Sequence, residues 1–242
     1  MGSISKSKSG YYGVRYRKDR NRYESKITVN GVHIYLGMFK TAIEAARKFD
    51  EYVIANNLTR VRLNFPLPEP YNDIPNTRWI RLTQRQFARV DDYNYDWLNQ
   101  FTWRALKDGN TYYAMTSIKV GNRYVGYLMH RLILGIIDFS IKVDHINHNG
   151  TDNYNDNIRM CTNSQNQMNR SVLPIGNSRH KGVYFDKRYN KYYAQNTIDG
   201  KQLYLGGFEL EDDAGRCYNI SAIKNFGVFA CLNKDKNGIT LL

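Results

Sequence analysis

The chain is poor in cysteine, proline and acidic residues, and it has no long apolar run. Its three cysteines, Cys161, Cys217 and Cys231, form no Cys-x-x-Cys pair and are odd in number. That argues against a disulfide framework or a cysteine-built zinc site, and for a reducing compartment. No apolar stretch approaches the roughly 20 residues a membrane helix needs. The first ten residues hold Lys6 and Lys8 without an apolar core, so the expected setting is cytoplasmic, nucleoid or nuclear and not secreted. Acidic residues number 22 against 35 Lys and Arg, giving a net charge of +13. Such an excess points to a polyanionic partner; with no membrane segment in view, that partner is nucleic acid. A phosphate-binding glycine loop, a serine triad and an aromatic RNA-binding strand motif are all missing.

What is present is a repeat. Two segments match without a gap at a constant offset of 169 residues: Gly13-Val14 with Gly182-Val183, Asn21 and Tyr23 with Asn190 and Tyr192, Gly31 with Gly200, Tyr35-Leu36-Gly37 with Tyr204-Leu205-Gly206, Phe39 with Phe208, Ala45 and Arg47 with Ala214 and Arg216, and Leu63-Asn64 with Leu232-Asn233. The five prolines fall outside both copies, at Pro66, Pro68, Pro70 and Pro75 after the first and Pro174 before the second. Proline lacks a backbone N–H and collects in linkers. The expected plan is a module at 1–65, a linker at 66–75, a central domain at 76–172, a linker at 173–179 and a second module at 180–242.

Each copy reads as three strands and a helix. In the first, Val14–Arg17 and Tyr23–Val29 alternate, Asn30-Gly31 is a hairpin signal, and Val32–Leu36 forms the third strand. Ala45, Ala46, Phe49 and Val53 then recur at helical spacing within Ala42–Ile54. If Tyr16, Ile27, Ile34 and Leu36 pack on the helix, alternation sends Arg15, Arg17, Glu24, Lys26, Thr28, His33 and Tyr35 to the opposite, free face. These segments resemble the plant ethylene-response-factor type of DNA-binding domain, through GVRYR, HIYLGMF, TAIEAARKFD and the closing LNF of residues 11–65. In that family a three-stranded sheet enters the major groove. The resemblance implies that Arg15, Arg17, Lys26, Thr28, His33 and Tyr35 face DNA, where an arginine fork suits guanine. The family usually has Glu and Arg where this chain has Lys26 and Thr28, so base preference does not carry over. The second copy offers Tyr184, Gln195, Thr197, Gln202 and Tyr204, with Asp186 in place of Arg17. Residues 1–65 carry a net +8 (13 basic, five acidic) and residues 171–242 a net +3 (ten basic, seven acidic), so the first copy is expected to dominate phosphate-driven binding.

The central segment runs Val143-Asp144-His145-Ile146-Asn147-His148-Asn149-Gly150, a polar loop at 151–156, Asn157-Ile158-Arg159-Met160-Cys161-Thr162, then Asn163 to Asn169. It reads as strand, long turn-rich loop, strand and helix, with Thr162, Asn163 or Ser164 as cap and Pro174 as stop. DHIN, DNIR and CTNSQNQMN, in that order, resemble the HNH (ββα-metal) nucleases of homing type, most closely over residues 130–170. The resemblance implies Asp144 and Asn166 as metal ligands, His145 as general base and Asn157 as the residue that fixes the loop. Asn166 stands where the family's more familiar final His falls, so the motif is His-Asn-Asn. Two oxygen ligands favour Mg²⁺, with Mn²⁺ second, over zinc. An imidazole with an ordinary pKa near 6.5 suits proton abstraction at neutral pH. His130 is read as a brace, a phosphate contact or a packing residue, Arg159 as a group that reaches the scissile phosphate, and Asn169 as support behind the ligands. Asn147, His148, Asn149, Asp152 and Asn153 are read as turn builders, and Trp79, Trp97 and Trp103 as core.

The expectation is therefore an α+β protein: a central ββα-metal HNH domain between two small modules, each a three-stranded antiparallel sheet on one helix. Its expected function is a homing-like, site-specific endonuclease acting as a monomer on a long asymmetric site in double-stranded DNA, with no membrane partner. The rival is a non-catalytic DNA-binding regulator. A decayed nuclease should have lost Asp144, His145 or Asn166, and all three are present.

Overall fold

The computed structural model describes residues 7–171 and 177–242. Pro174, most of the expected second linker and residues 1–6 lie outside them. The fold is α+β, built of small antiparallel sheets and short helices. Contacts divide the chain into two compact units: residues through Asp73 with Arg81–Phe87, and Ile74–Ile80 with Ala88–Leu242. No helix among the described residues is long and apolar enough to cross a membrane.

The first unit holds β1 (Val14–Arg17), β2 (Arg22–Val29), β3 (Val32–Phe39) and α1 (Ala42–Ala55). Asn30 and Gly31 both adopt positive φ, the conformation a two-residue hairpin needs. A reciprocal cap between Thr41 and Glu44 starts α1. Ala45, Ala46, Phe49 and Val53 of α1 are buried on Val14 and Ile27, with Ile34 and Leu36 packed alongside. Tyr16 departs from its expected place: it is 42% exposed, leans on Tyr23 and hydrogen-bonds Asn21. It lies near the end of the short edge strand, past the reach of the helix.

The second unit opens with β4 (Thr77–Arg81) and β5 (Phe87–Asp91), apart from their end residues Arg81 and Phe87, and with α2 (Asp92–Leu98), followed by the sheet of β6 (Arg104–Asp108), β7 (Thr111–Val120) and β8 (Arg123–Leu128), and by α3 (Met129–Ile133). Leu98, Trp103, Ala114 and Met129 are buried here. Trp103 donates its indole N–H to the Leu98 carbonyl at 2.8 Å. Trp97 corrects the core expectation: it is 37% exposed, because α2 turns Asn94 and Leu98 inward. Next come β9 (Lys142–His145) and β10 (Ile158–Cys161), paired antiparallel, and α4 (Asn163–Asn169), which a reciprocal Thr162–Gln165 cap begins.

The unit ends with β11 (Val183–Asp186), β12 (Lys191–Ile198), β13 (Lys201–Phe208) and α5 (Glu211–Phe226). Details of the first sheet recur here at the same offset. Leu36 and Leu205 are each the extra residue of a bulge in the third strand. Asn64 and Asn233 each bridge the backbone N–H and C=O of Tyr12 and Lys181, respectively. Gly13 and Gly182 both have φ of +71°, and a Cβ at either would collide with the ring of Phe49 or Tyr218. The second sheet and helix also pack on α4. Met168 joins the cluster of Tyr218, Ala222 and Phe226, and Lys181 donates its ammonium to the Met168 and Arg170 carbonyls at 2.7 Å each. A lysine there satisfies carbonyls that the helix end leaves open.

Candidate nuclease centre

The β9–β10 pairing places Asp144 opposite Arg159 and His145 opposite Ile158. Directly opposed residues share a face, and the Arg159 guanidinium bonds Asp144 Oδ2 through Nε (2.9 Å) and Nη2 (2.7 Å). Asp144 is buried and Arg159 mostly so, with side chains 6% and 16% exposed. Asn169, from the end of α4, donates Nδ2 to both Asp144 oxygens (2.9 and 3.0 Å) and to the His145 carbonyl (3.1 Å). Oδ1 thus accepts from Asn169 alone and keeps lone-pair capacity.

His145 is held on three sides. Its ring lies 4.9 Å from His130, nearly perpendicular, and 5.7 Å from Tyr113. Its Nε2 meets Asn153 Oδ1 at 3.2 Å. Asn153 is fully buried and its own Nδ2 donates to the Thr151 carbonyl, which fixes the oxygen as the atom facing the ring. The imidazole therefore carries its proton on Nε2 and leaves Nδ1 as the acceptor. Burial pushes the His145 pKa below its ordinary value, so the ring is neutral near pH 7. Burial first, then the charges of His145 and Arg131, bring His130 down to about 3.

The loop before β10 is pinned from within and from outside. Asn157 accepts from the Asn147 N–H at 3.0 Å, and donates to the Asn147 side chain (2.9 Å) and the Asp152 carbonyl (2.7 Å). Arg89 of β5 exchanges backbone bonds with Thr151 and Asn153 at 2.8 and 2.7 Å. Asp144, His145 and Asn166 line one cavity of about 350 Å³, together with Tyr113, His148, Asn169 and Arg170.

A relative decides the family. Over 149 residues the chain is 32% identical to an uncharacterized HNH endonuclease of Acanthamoeba polyphaga mimivirus, covering 61% of this chain and 75% of the relative. The chain belongs to the HNH endonucleases. No family model matches it.

In this HNH endonuclease Asp144 and Asn166 line the cavity, and a carboxylate and an amide are side-chain types whose oxygens suit a hard cation. Among the described residues no group of three His, Cys, Asp or Glu side chains is placed to hold a metal. Mg²⁺ keeps several waters and needs only one or two protein carboxylates, so a pair such as Asp144 and Asn166 would be enough to hold it. Such a pair does not fit structural zinc, which takes four ligands.

Three residues gain roles that their sequence context hid. Asn153, read as a turn builder, is the hydrogen-bond acceptor for His145. His148 lines the cavity, with φ of +64° and its Nε2 3.8 Å from Cys231 Sγ. Arg159 is occupied by Asp144 and also donates Nη1 to the Val228 carbonyl (2.7 Å), while its guanidinium lies 3.9 Å over the Phe229 ring. Val228 and Phe229 belong to the turn that follows α5, so the second repeat holds the arginine that holds Asp144.

The residues expected to face DNA lie on the two sheets. Arg15, Lys26, Thr28, His33 and Tyr35 are exposed, and Arg17 is tied to Asp19 at 3.1 Å. Thr28 and His33 bond one another at 2.8 Å. Tyr184, Thr197, Gln202 and Tyr204 are exposed and Gln195 is half-buried.

Proposed function

We propose that this protein cuts double-stranded DNA at a specific site by a one-metal HNH mechanism, in the manner of a homing endonuclease. The observation that carries the reading is the convergence of Asp144, His145 and Asn166 on one cavity with the His145 Nδ1 free to accept. Asp144 and Asn166 would hold a divalent cation, Mg²⁺ before Mn²⁺. When bound, such a cation stabilises the negative charge of the departing 3′ oxygen. His145 takes the proton of the attacking water at Nδ1. Asn157 keeps the loop closed behind it, and His130, neutral at working pH, braces the ring. The first sheet, similar to ethylene-response-factor domains, offers Arg15, Lys26 and Tyr35 to the duplex. A monomer meeting a long asymmetric site would hold its DNA through both repeats, the first on the duplex, since the second docking is intramolecular.

The test is cleavage of genomic DNA with Mg²⁺ or with EDTA. Cutting is expected only with the divalent cation, and cutting that persists in EDTA would overturn the mechanism.

Asn153 is a positioning residue, and its contribution is separable from folding. Asn153→Ala should slow cleavage by roughly 10–100-fold, the usual effect of removing a group that orients a catalytic ligand or base. Asn153→Asp, which still accepts from Nε2, should recover most of that loss. Single-turnover rates on one substrate check both, and equal rates for the two variants would reduce Asn153 to loop packing.

A further inference from the structure

The outward faces of the two sheets differ in chemistry. At the 169-residue offset Arg15 becomes Tyr184, Arg20 becomes Tyr189, Glu24 becomes Tyr193 and Met38 becomes Gly207, while Tyr204 matches Tyr35. These substitutions converge on one platform. The Tyr184 and Tyr193 rings stack with centroids 5.6 Å apart and planes 24° apart. Tyr204 lies 6.0 Å from Tyr193 on its other side, and Tyr189 closes edge-on at 6.5 Å. Tyr193 rests over Gly207, where a Cβ would stand 2.8 Å from its ring. Loss of a side chain at 207 and gain of a ring at 193 are therefore one structural change. Tyr184, Tyr189 and Tyr204 remain 41%, 63% and 61% exposed.

The surroundings favour a nucleic acid over an apolar partner. Ala194 and Asn196 are buried under the sheet, so alternation puts Gln195 and Thr197 on the tyrosine face. Gln202 pairs with Thr197 and Tyr204 with Gln195, which brings them to the same face. Asp186, on this face, is paired with Arg188 at 2.9 Å. Lys187, Arg188 and Lys191 are exposed at the β11–β12 end. Rings, amides and cations are the three elements of a base-stacking surface. In a duplex the base faces are covered by their neighbours, so a protein ring reaches one only where a base step is unstacked or a base has left the helix.

We propose that the second sheet binds unpaired nucleotides of single-stranded DNA, stacking bases on Tyr184, Tyr193 and Tyr204. The amides of Gln195 and Gln202 reach the base edges, and Lys187, Arg188 and Lys191 meet the phosphates. The first sheet, with Arg15 and Lys26, keeps the duplex. The proposal rests on the nucleic-acid reading of the chain but not on cleavage.

The test uses the full chain in EDTA, so that nothing is cut, with fluorescence anisotropy of a labelled oligothymidylate and of a mixed-sequence duplex. Tyr184→Ala and Tyr204→Ala should each weaken oligothymidylate binding by about tenfold, the order expected for one base–aromatic stack, and leave duplex affinity within about twofold. Tyr193→Phe, which keeps the ring, should bind like the wild type. The double variant Arg15→Ala, Arg17→Ala should show the reverse pattern, losing duplex affinity and keeping oligothymidylate. Wild-type protein that binds duplex but not oligothymidylate would overturn the platform while sparing the nucleic-acid reading. Equal losses on both ligands in the tyrosine variants would make these rings duplex contacts and also overturn it. Binding to neither ligand would remove the nucleic-acid reading itself.

Discussion

Replacing His145 with alanine is expected to lower the cleavage rate by roughly 10²–10⁴-fold, the share a positioned general base contributes, without weakening DNA binding. The residue is 6% exposed and packs between His130 and Tyr113, so alanine also leaves a void and an unsatisfied Asn153 oxygen. Those defects cost stability and need a control. His145→Gln supplies one: its amide can still donate to Asn153 Oδ1 but is too weak a base to take a proton from water. Both variants should bind DNA and neither should cut. Near-normal cutting by the glutamine variant, measured at single turnover, would remove the general-base assignment.

The second large effect concerns Arg159. Asp144 is 6% exposed and its carboxylate is compensated by Arg159 and Asn169. Breaking one side of a buried ion pair costs about 3–5 kcal/mol, and the remaining Asn169 bonds put Arg159→Ala at the lower end, about 3 kcal/mol. A divalent cation on Asp144 would replace the missing positive charge. The variant should therefore melt well below the wild type in EDTA and recover more of its Tm on titration with Mg²⁺ than the wild type gains, because a ligand that binds only the folded state stabilises it by mass action. If Mg²⁺ raises both Tm values equally, Asp144 is not where the cation sits. If the variant melts like the wild type in EDTA, the ion pair does not bear on stability and Arg159 is free for a phosphate, as its sequence context had suggested.

Much of the fold was readable because it rests on local signals. The strand alternation around Ile27, the Asn30-Gly31 hairpin and the spacing of Ala45, Phe49 and Val53 each act within a few residues. The Asp144–His145 pair and Asn166 stood out through the resemblance of DHIN, DNIR and CTNSQNQMN to the HNH nucleases, and they do share a cavity. What stayed hidden depends on register and distance. Asn147, Asn149, Asp152 and Asn153 are all turn-forming types, and nothing local tells which one aims inward. Arg159 meets Asp144 only because two strands align at that register. Its contact with Val228 spans 69 residues of sequence. Tyr16 and Trp97 looked like core by type, and ended near the surface because neither is covered by a neighbouring element.

The seating of the second repeat on α4 bears on the distance between the nuclease centre and the second sheet. Lys181, Met168 and the Arg159–Phe229 contact join nuclease centre and second sheet through side chains that touch. The span between them is set like the jaws of a caliper, by the frame and not by the slack of a cord. If that sheet holds nucleotides and His145 acts on the scissile bond as proposed, a packed frame would give one reach, and the step between the two would be a constant of the protein.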